Sequence, residues 1–381
     1  MAFSTIQGSG GAPDSFVGTT GVDSIAIANS SGNFFLGAQE SNDVVNLLFS
    51  ANDPGVISNS TLKGGQGSDT FITTGNLVYS GIFLNGNSDG DSITFAAGSS
   101  LNASTVQGGQ GNDTITTGIA TSALINGNKN ADTLNVNGAT ASSSLYGGQG
   151  ADTIQLGAVA VTNTVISGDN DNDTINQAVG ASLLGSTLGG GQGNDTITVG
   201  AATSTVIANG DDGNDTIVTG ASADTIDGGA GNDNITAGAG IDVMTGGAGQ
   251  DTFVQSVSGL GAVPTATVFA GANYSAGDTL TFGNGIDIVT DFTANDLLDT
   301  ATAANAVTAN GVATGSALGA SNYFLQGTYN ATTSVFTVGT TAANIDYLVA
   351  PSNGTSTSFI ANTSLILLDN LGTAPLAANF V

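Results

Sequence analysis

The 381-residue chain reads as an all-β protein: a parallel β-solenoid followed by a smaller C-terminal β domain. Three observations carry that reading. A short motif rich in Gly and Asp recurs from about residue 17 to residue 255. One large apolar residue stands at a fixed place on either side of each copy. The 3.6-residue apolar period of a helix is missing throughout this region.

The repeat comes first, because self-similarity at a fixed period defines this kind of architecture. Residues 64–71 read GGQGSDTF, 108–115 GGQGNDTI, 147–154 GGQGADTI and 190–197 GGQGNDTI. Between them stand 86–93 (GNSDGDSI), 127–134 (GNKNADTL), 168–175 (GDNDNDTI) and 210–217 (GDDGNDTI). The sixth-position aspartates are Asp69, Asp91, Asp113, Asp132, Asp152, Asp173, Asp195 and Asp215. Their numbers rise in nearly equal steps, the mark of a long repeat unit. Asp224, Asp233, Asp242 and Asp251 then follow at steps of nine. Residues 18–25 and a looser copy ending at Asp43 are worn versions.

The strands follow from the flanks. After each Asp comes a polar residue and then Ile93, Ile115, Leu134, Ile154, Ile175, Ile197 or Ile217. Two residues before each motif stands Leu62, Leu84, Val106, Ile125, Leu145, Ile166 or Leu188. Alternation about such residues marks strands, and the two columns are expected to face each other across a narrow two-sheet core. A nine-residue step is one turn plus one short strand. Two steps, or one long unit, then make a coil of two strands and two turns, with coils stacked ~4.8 Å apart. The chain divides into an N-terminal arm (1–16), the solenoid (17–255), a transition segment (256–300) and the C-terminal β domain (301–381). In the last, Tyr323–Leu325, Val335–Val338 and Ile345–Val349 read as short strands.

Composition narrows the function. Net charge is -28, from 30 acids against Lys63 and Lys129, and 29 of the acids are Asp, the other being Glu40. There is no His, Cys or Trp. A Ser-His-Asp triad, a thiol nucleophile and a zinc site of imidazole or thiolate are excluded, as are disulfides. Two lysines cannot neutralise phosphates, so nucleic acid is not a partner. No apolar run approaches the length of a membrane-spanning helix. Paired acids such as Asp169/Asp171 and Asp211/Asp212 imitate a glycosidase pair, but they lie inside the motif and have no cationic or imidazole partner. The reading is therefore not an enzyme.

The motif suits calcium. Glycines at positions one, two and four are expected to supply φ > 0 and a tight turn, so that backbone oxygens converge. The candidate glycines are Gly65, Gly67, Gly109, Gly111, Gly148, Gly150, Gly191, Gly193, Gly229, Gly231, Gly247 and Gly249. The sixth-position Asp adds a carboxylate, giving the hard oxygen donors that Ca²⁺ takes. Where Gly is lost, Asn87, Asp89, Asn128, Asn130, Asp169, Asp171 and Asp211 replace it, and Asn and Asp tolerate the left-handed region. Of these, Asp89, Asp169, Asp171 and Asp211 bring further carboxylates. Stacked Asp ~5 Å apart repel by about 3 kcal/mol per pair at an effective dielectric near 20. No lysine ladder answers them, so several external cations are required.

The segments quoted above resemble the nonapeptide G-G-x-G-x-D-x-U-x of RTX (hemolysin-type) calcium-binding proteins. The resemblance covers about residues 17–255 and implies a parallel β-roll with Ca²⁺ held between adjacent turns. The long units depart from it by carrying one motif per coil, and Lys129 sets a positive charge beside a presumed site. Residues 285–299 (GIDIVTDFTANDLLD) are similar to the segment that often follows such repeats, and 365–381 resembles the uncleaved C-terminal signal of type I secretion substrates. Residues 1–11 hold neither a basic nor an apolar stretch, which fits that route. The expectation is an exported, extracellular or cell-surface structural protein that self-assembles into a surface layer or filament. The alternative is a calcium-stabilised adhesin using a solenoid face, with carbohydrate (a cell-surface polysaccharide) or ice as ligand. Threonine pairs such as Thr114/Thr116 and Thr196/Thr198 suggest an ice-ordering face, but Asn135, Gln155 and Asn176 interrupt them, so β propensity explains them better.

Overall fold

The computed structural model describes residues 2–7, 14–18, 21, 23–28, 34–48, 56–200, 204–254, 264–266, 279–282, 287–292, 295–299, 305–308, 321–330, 332, 335–338, 346–350 and 366–369. These residues form strands and turns without a helix, so none of them belongs to a helix long and apolar enough to cross a membrane. The chain forms two compact units, Met1–Ala202 and Thr203–Val381.

Each coil of the first unit opens on a motif strand such as Thr61–Gln66, turns at its Asp and continues into a second strand such as Thr70–Thr74. Motif strands pair in parallel with motif strands, and second strands with second strands. Register is kept by chemistry: Leu62 meets Leu84, and Phe71 meets Ile93. The expected two-strand coil is corrected here. Between Val56 and Thr162 the coils make a third strand, Val56–Ser58, Val78–Ser80, Ser100–Asn102, Ile119–Thr121, Thr140–Ala141 and Val161–Thr162, and these form a third parallel sheet. The reason is length. Two nine-residue steps already close a coil of two strands and two tight turns, and the surplus chain in each longer unit extends along a third side. At the N-terminal end Ala2–Gln7 pairs in parallel with Asp23–Ala28 and adds a rung to the second sheet.

The core is the set of apolar columns. Leu62, Leu84, Val106, Ile125, Leu145, Ile166 and Leu188 are fully buried, as are Ile93, Ile115, Leu134, Ile154 and Ile197. The third side contributes Ile57, Tyr79 and Leu101, and Tyr79 packs edge-on against Phe95 with ring centroids 5.1 Å apart.

In the second unit the coils described between residues 204 and 254 are two nine-residue steps each and form two sheets. Ile207–Asp212, Thr225–Ala230 and Val243–Ala248 stack on one side, and Thr216–Val218, Asn234–Thr236 and Thr252–Val254 on the other. A further coil follows only after an insertion. Asp287–Val289 pairs with Val243–Ala248, and Leu297–Asp299 pairs with Thr252–Val254. Asp287–Val289 also pairs in parallel with Ile366–Leu368, from which an antiparallel sheet continues through Asp346–Ala350, Ser321–Asn330 and Val335–Val338. The strands expected near 323, 335 and 345 are present. Residues 370–381, most of the segment likened to an export signal, lie outside the described residues.

Candidate metal centre

The sixth-position aspartates form a buried ladder along one edge of each unit. In the first unit the backbone N–H of Asp43 donates to Oδ1 of Asp69 (2.8 Å). The N–H of Asp69 donates to Asp91, that of Asp91 to Asp113, and so on through Asp132, Asp152, Asp173 and Asp195, each at 2.7 Å. In the second unit the ladder runs from Asp215 through Asp233 and Asp251 to Asp296 at 2.8, 3.0 and 3.0 Å. A second ladder occupies the opposite edge there: Val206 donates to Asp224, Asp224 to Asp242 and Asp242 to Asp287.

The rungs use one carboxylate oxygen this way and leave the other inside. Oδ2 of Asp69, Asp91, Asp113, Asp132, Asp152, Asp173, Asp233 and Asp242 is buried with no hydrogen-bond partner. Burying an anionic oxygen without a partner costs several kcal/mol. The carboxyls respond accordingly. Burial pushes Asp69 and Asp152 up to about 7, and Asp91, Asp132 and Asp173 up to about 8. The accepted N–H opposes the rise, and neighbouring carboxylates add to it. In the second ladder burial raises Asp242 to about 7 and Asp287 to about 6.

The orphan oxygens face main-chain carbonyls. A side chain at Gly64 would collide with Oδ2 of Asp69 and with the carbonyl oxygen of Gly86; at Gly147 it would meet Oδ2 of Asp152 and the carbonyl of Gly168. This corrects the expected role of motif position one. Positive φ falls at positions two and four, as in Gly65 (120°), Gly67 (105°), Asn87 (81°) and Asp89 (70°). Position one is glycine because a Cβ there would fill the space between carboxylate and carbonyl. Among the described residues no three acidic side chains converge on one point. An ion on this edge would be held mainly by backbone oxygens, with few carboxylates, a donor set that suits Ca²⁺ and not the softer metals.

The replacement residues take the places expected of them. Asp169, Asp171 and Asp211 hold positive φ in the motif turn, as do Asn128 and Asn130. Oδ2 of Asp89 accepts the N–H of Gly67, and Oδ1 of Asp169 accepts the Ser167 hydroxyl. Lys129 is exposed at the end of its motif strand, in register with Gln110 and Gln149.

Sequence reasoning missed two parts of the edge. One is motif position five, where Asn42 accepts the N–H of Ser68, Asn172 that of Asn194 and Asn232 that of Gln250. The recurring Asn before Asp was the visible signal. The other is the final coil. Asp287 and Asp296 continue both ladders, and Asp291 accepts the N–H groups of Gly246 and Gly247. Asp296 follows Asp251 at a distance of 45 along the chain, where its predecessors step by 18. The nine-residue spacing of Asp287 and Asp296 marks one more repeat, displaced by an insertion.

Stacked glycine turns, carboxylate ladders and inward carbonyls define a calcium-binding β-solenoid. Five segments, 102–119, 135–158, 187–206, 209–244 and 228–254, match the family model of the RTX calcium-binding nonapeptide repeat (4 copies). These segments carry RTX-type repeats, which are calcium-binding motifs, and their number is consistent with several Ca²⁺ ions. No curated protein matches it.

Proposed function

We propose that this protein is an exported, calcium-dependent structural protein that self-assembles on the cell surface or in the extracellular matrix, as a surface-layer or filament subunit. The observation that carries the reading is the row of buried, unpartnered Asp oxygens along the motif edges. It is a device for making a stiff stack dependent on calcium. The ions sit between adjacent motif turns, on the Asp ladders and the facing carbonyls. RTX repeat solenoids are typically structural or toxin-like, and such repeats are typical of exported proteins. Neither unit shows, among its described residues, a constellation suited to catalysis, and the composition supplies no imidazole or thiol and only two lysines for one.

Electron microscopy of the purified protein with and without millimolar Ca²⁺ tests this. Ordered sheets or filaments that appear only with calcium are expected; dispersed particles in both conditions refute the assembly role. Deleting residues from Ser321 onward should abolish secretion from the native host, and normal export of the shortened chain would refute a C-terminal signal.

The adhesin reading keeps one observation in its favour. A shallow trough of about 430 Å³ on the motif edge is lined by Gln149, Asn170, Asp171, Asn172, Gln192 and Gly193, a polar set suited to hydroxyl-rich ligands. Glycan-array binding by a strictly monomeric protein would favour it.

A further inference from the structure

The outer face of the motif sheet in the first unit carries an alternation that the calcium edge does not explain. Three residues before each motif a side chain points outward, and adjacent rungs put these residues side by side. The row reads Phe35, Thr61, Phe83, Thr105, Leu124, Ser144, Val165, Thr187. Large apolar and small hydroxyl residues alternate without a break. Phe35 is 39% and Val165 46% exposed. The row of the adjacent sheet has no such rhythm: Thr70, Ser92, Thr114, Thr133, Thr153, Thr174, Thr196. Packing within the chain does not call for it either, since like side chains stack well along a parallel ladder.

We infer that this face is a contact surface for a second copy of the same face, with the apolar residues of one copy seated in the Thr and Ser notches of the other. At ~4.8 Å per rung, ridges recur about every 9.6 Å, and a shift of one rung brings ridge onto notch. A surface with this rhythm is complementary to itself. Charge points to the same partner. The chain carries -28, yet neither this row nor the outward column beside it, which includes Lys63, Asn85, Gln107, Asn126 and Tyr146, holds an acid. Two such chains can meet here without opposing carboxylates.

Area sets the strength. Eight rungs by two columns cover on the order of 400 Å² per copy, about half the ~800 Å² that each partner gives to a stable interface. A single pair does not hold in dilute solution; many such contacts in an array do. The inference rests on the self-assembly reading and names the face that serves it.

The test uses the full chain in millimolar Ca²⁺, with folding checked by circular dichroism and assembly followed by light scattering. Thr105→Phe with Ser144→Phe fills the notches and adds apolar area. Phe83→Ser with Leu124→Ser removes the ridges. Both should raise the concentration needed for assembly by at least about tenfold, the effect of losing a small contact repeated through an array. Thr114→Phe with Thr153→Phe, on the adjacent sheet, should leave it unchanged. Should the notch-filled chain fail to fold, the ridge-removed chain decides. Assembly indifferent to both face variants, strengthened by notch filling, or equally impaired by the control overturns this inference and leaves self-assembly standing. A wild-type chain that stays monomeric overturns both. Unimpaired assembly with lost binding to immobilised polysaccharide would make a glycan the occupant instead.

Discussion

Two corners of the first-unit coil solve one problem in opposite ways. At each, the chain bends and points a buried N–H along the stack. At the acid corner a carboxylate of the next coil accepts it, as Asp152 does from Asp132. At the corner after the third strand a hydroxyl accepts it: Ser104 from Ile82, Ser143 from Ala123 and Ser186 from Thr164. The hydroxyl then donates to the carbonyl two residues back, Ser104 to Asn102 and Ser143 to Ala141. That corner is neutral and satisfied. The acid corner is left with buried anionic oxygens, as at Asp132 and Asp152. Asp is thus not needed to close the bend; it confines the demand for calcium to one edge. The second unit replaces the hydroxyl corner with a second acid ladder, so its demand is greater.

The largest test of this contrast is removal of the ions. In excess chelator at pH 8 the strand signal in circular dichroism should collapse, and added Ca²⁺ should restore it. A β spectrum indifferent to chelator would break the comparison outright.

Protons should substitute in part. Burial raises the Asp carboxyls above the 3.8 of an exposed one, to about 7 for Asp69 and about 8 for Asp91. The metal-free folded state therefore binds more protons than the unfolded chain. Its stability is fully present below about pH 4 and is lost as pH rises through 6 to 8. With chelator present, acidification from pH 8 to pH 4 should recover strand signal. Calcium affinity should rise with pH over the same window. Recovery on raising the pH in chelator would reverse the sign and sink the argument.

Single substitutions sharpen the corners. Asp152→Ala leaves the Asp132 N–H without its acceptor and takes a carboxylate off the ladder, costing about 1–3 kcal/mol on the first count alone. Asp152→Asn keeps an acceptor oxygen, so it should lower calcium uptake while making the metal-free chain easier to fold. Ser143→Ala should cost about 1–3 kcal/mol in stability without changing the number of ions bound. Calorimetric titration beside thermal melts separates the three; equal calcium loss in Ser143→Ala would erase the distinction between corners.

The smallest expected effect is none. Asp346 accepts the N–H of Tyr329 in the antiparallel sheet, on neither ladder. Asp346→Ala should leave calcium stoichiometry unchanged, and a lost ion would extend the metal edge into that sheet.

The sequence alone determined the architecture and the edge. The period and the apolar columns at Leu62 and Ile93 forced parallel coils, because each side chain must find its like one repeat away. The Gly-Asp motif forced oxygen chemistry, because the chain has no His or Cys to offer a metal nitrogen or sulfur. The tertiary structure decided the rest. Only stacking shows that Oδ1 of Asp69 is used by the backbone of Asp43 while Oδ2 is left over, since the partners lie a full coil apart in the chain. Only the third side shows why Ser104 and Ser143 recur, because hydroxyls carry no signature in a chain so rich in them. Asp287 and Asp296 became rungs only in space, where an insertion that breaks the period in sequence leaves the stack unbroken.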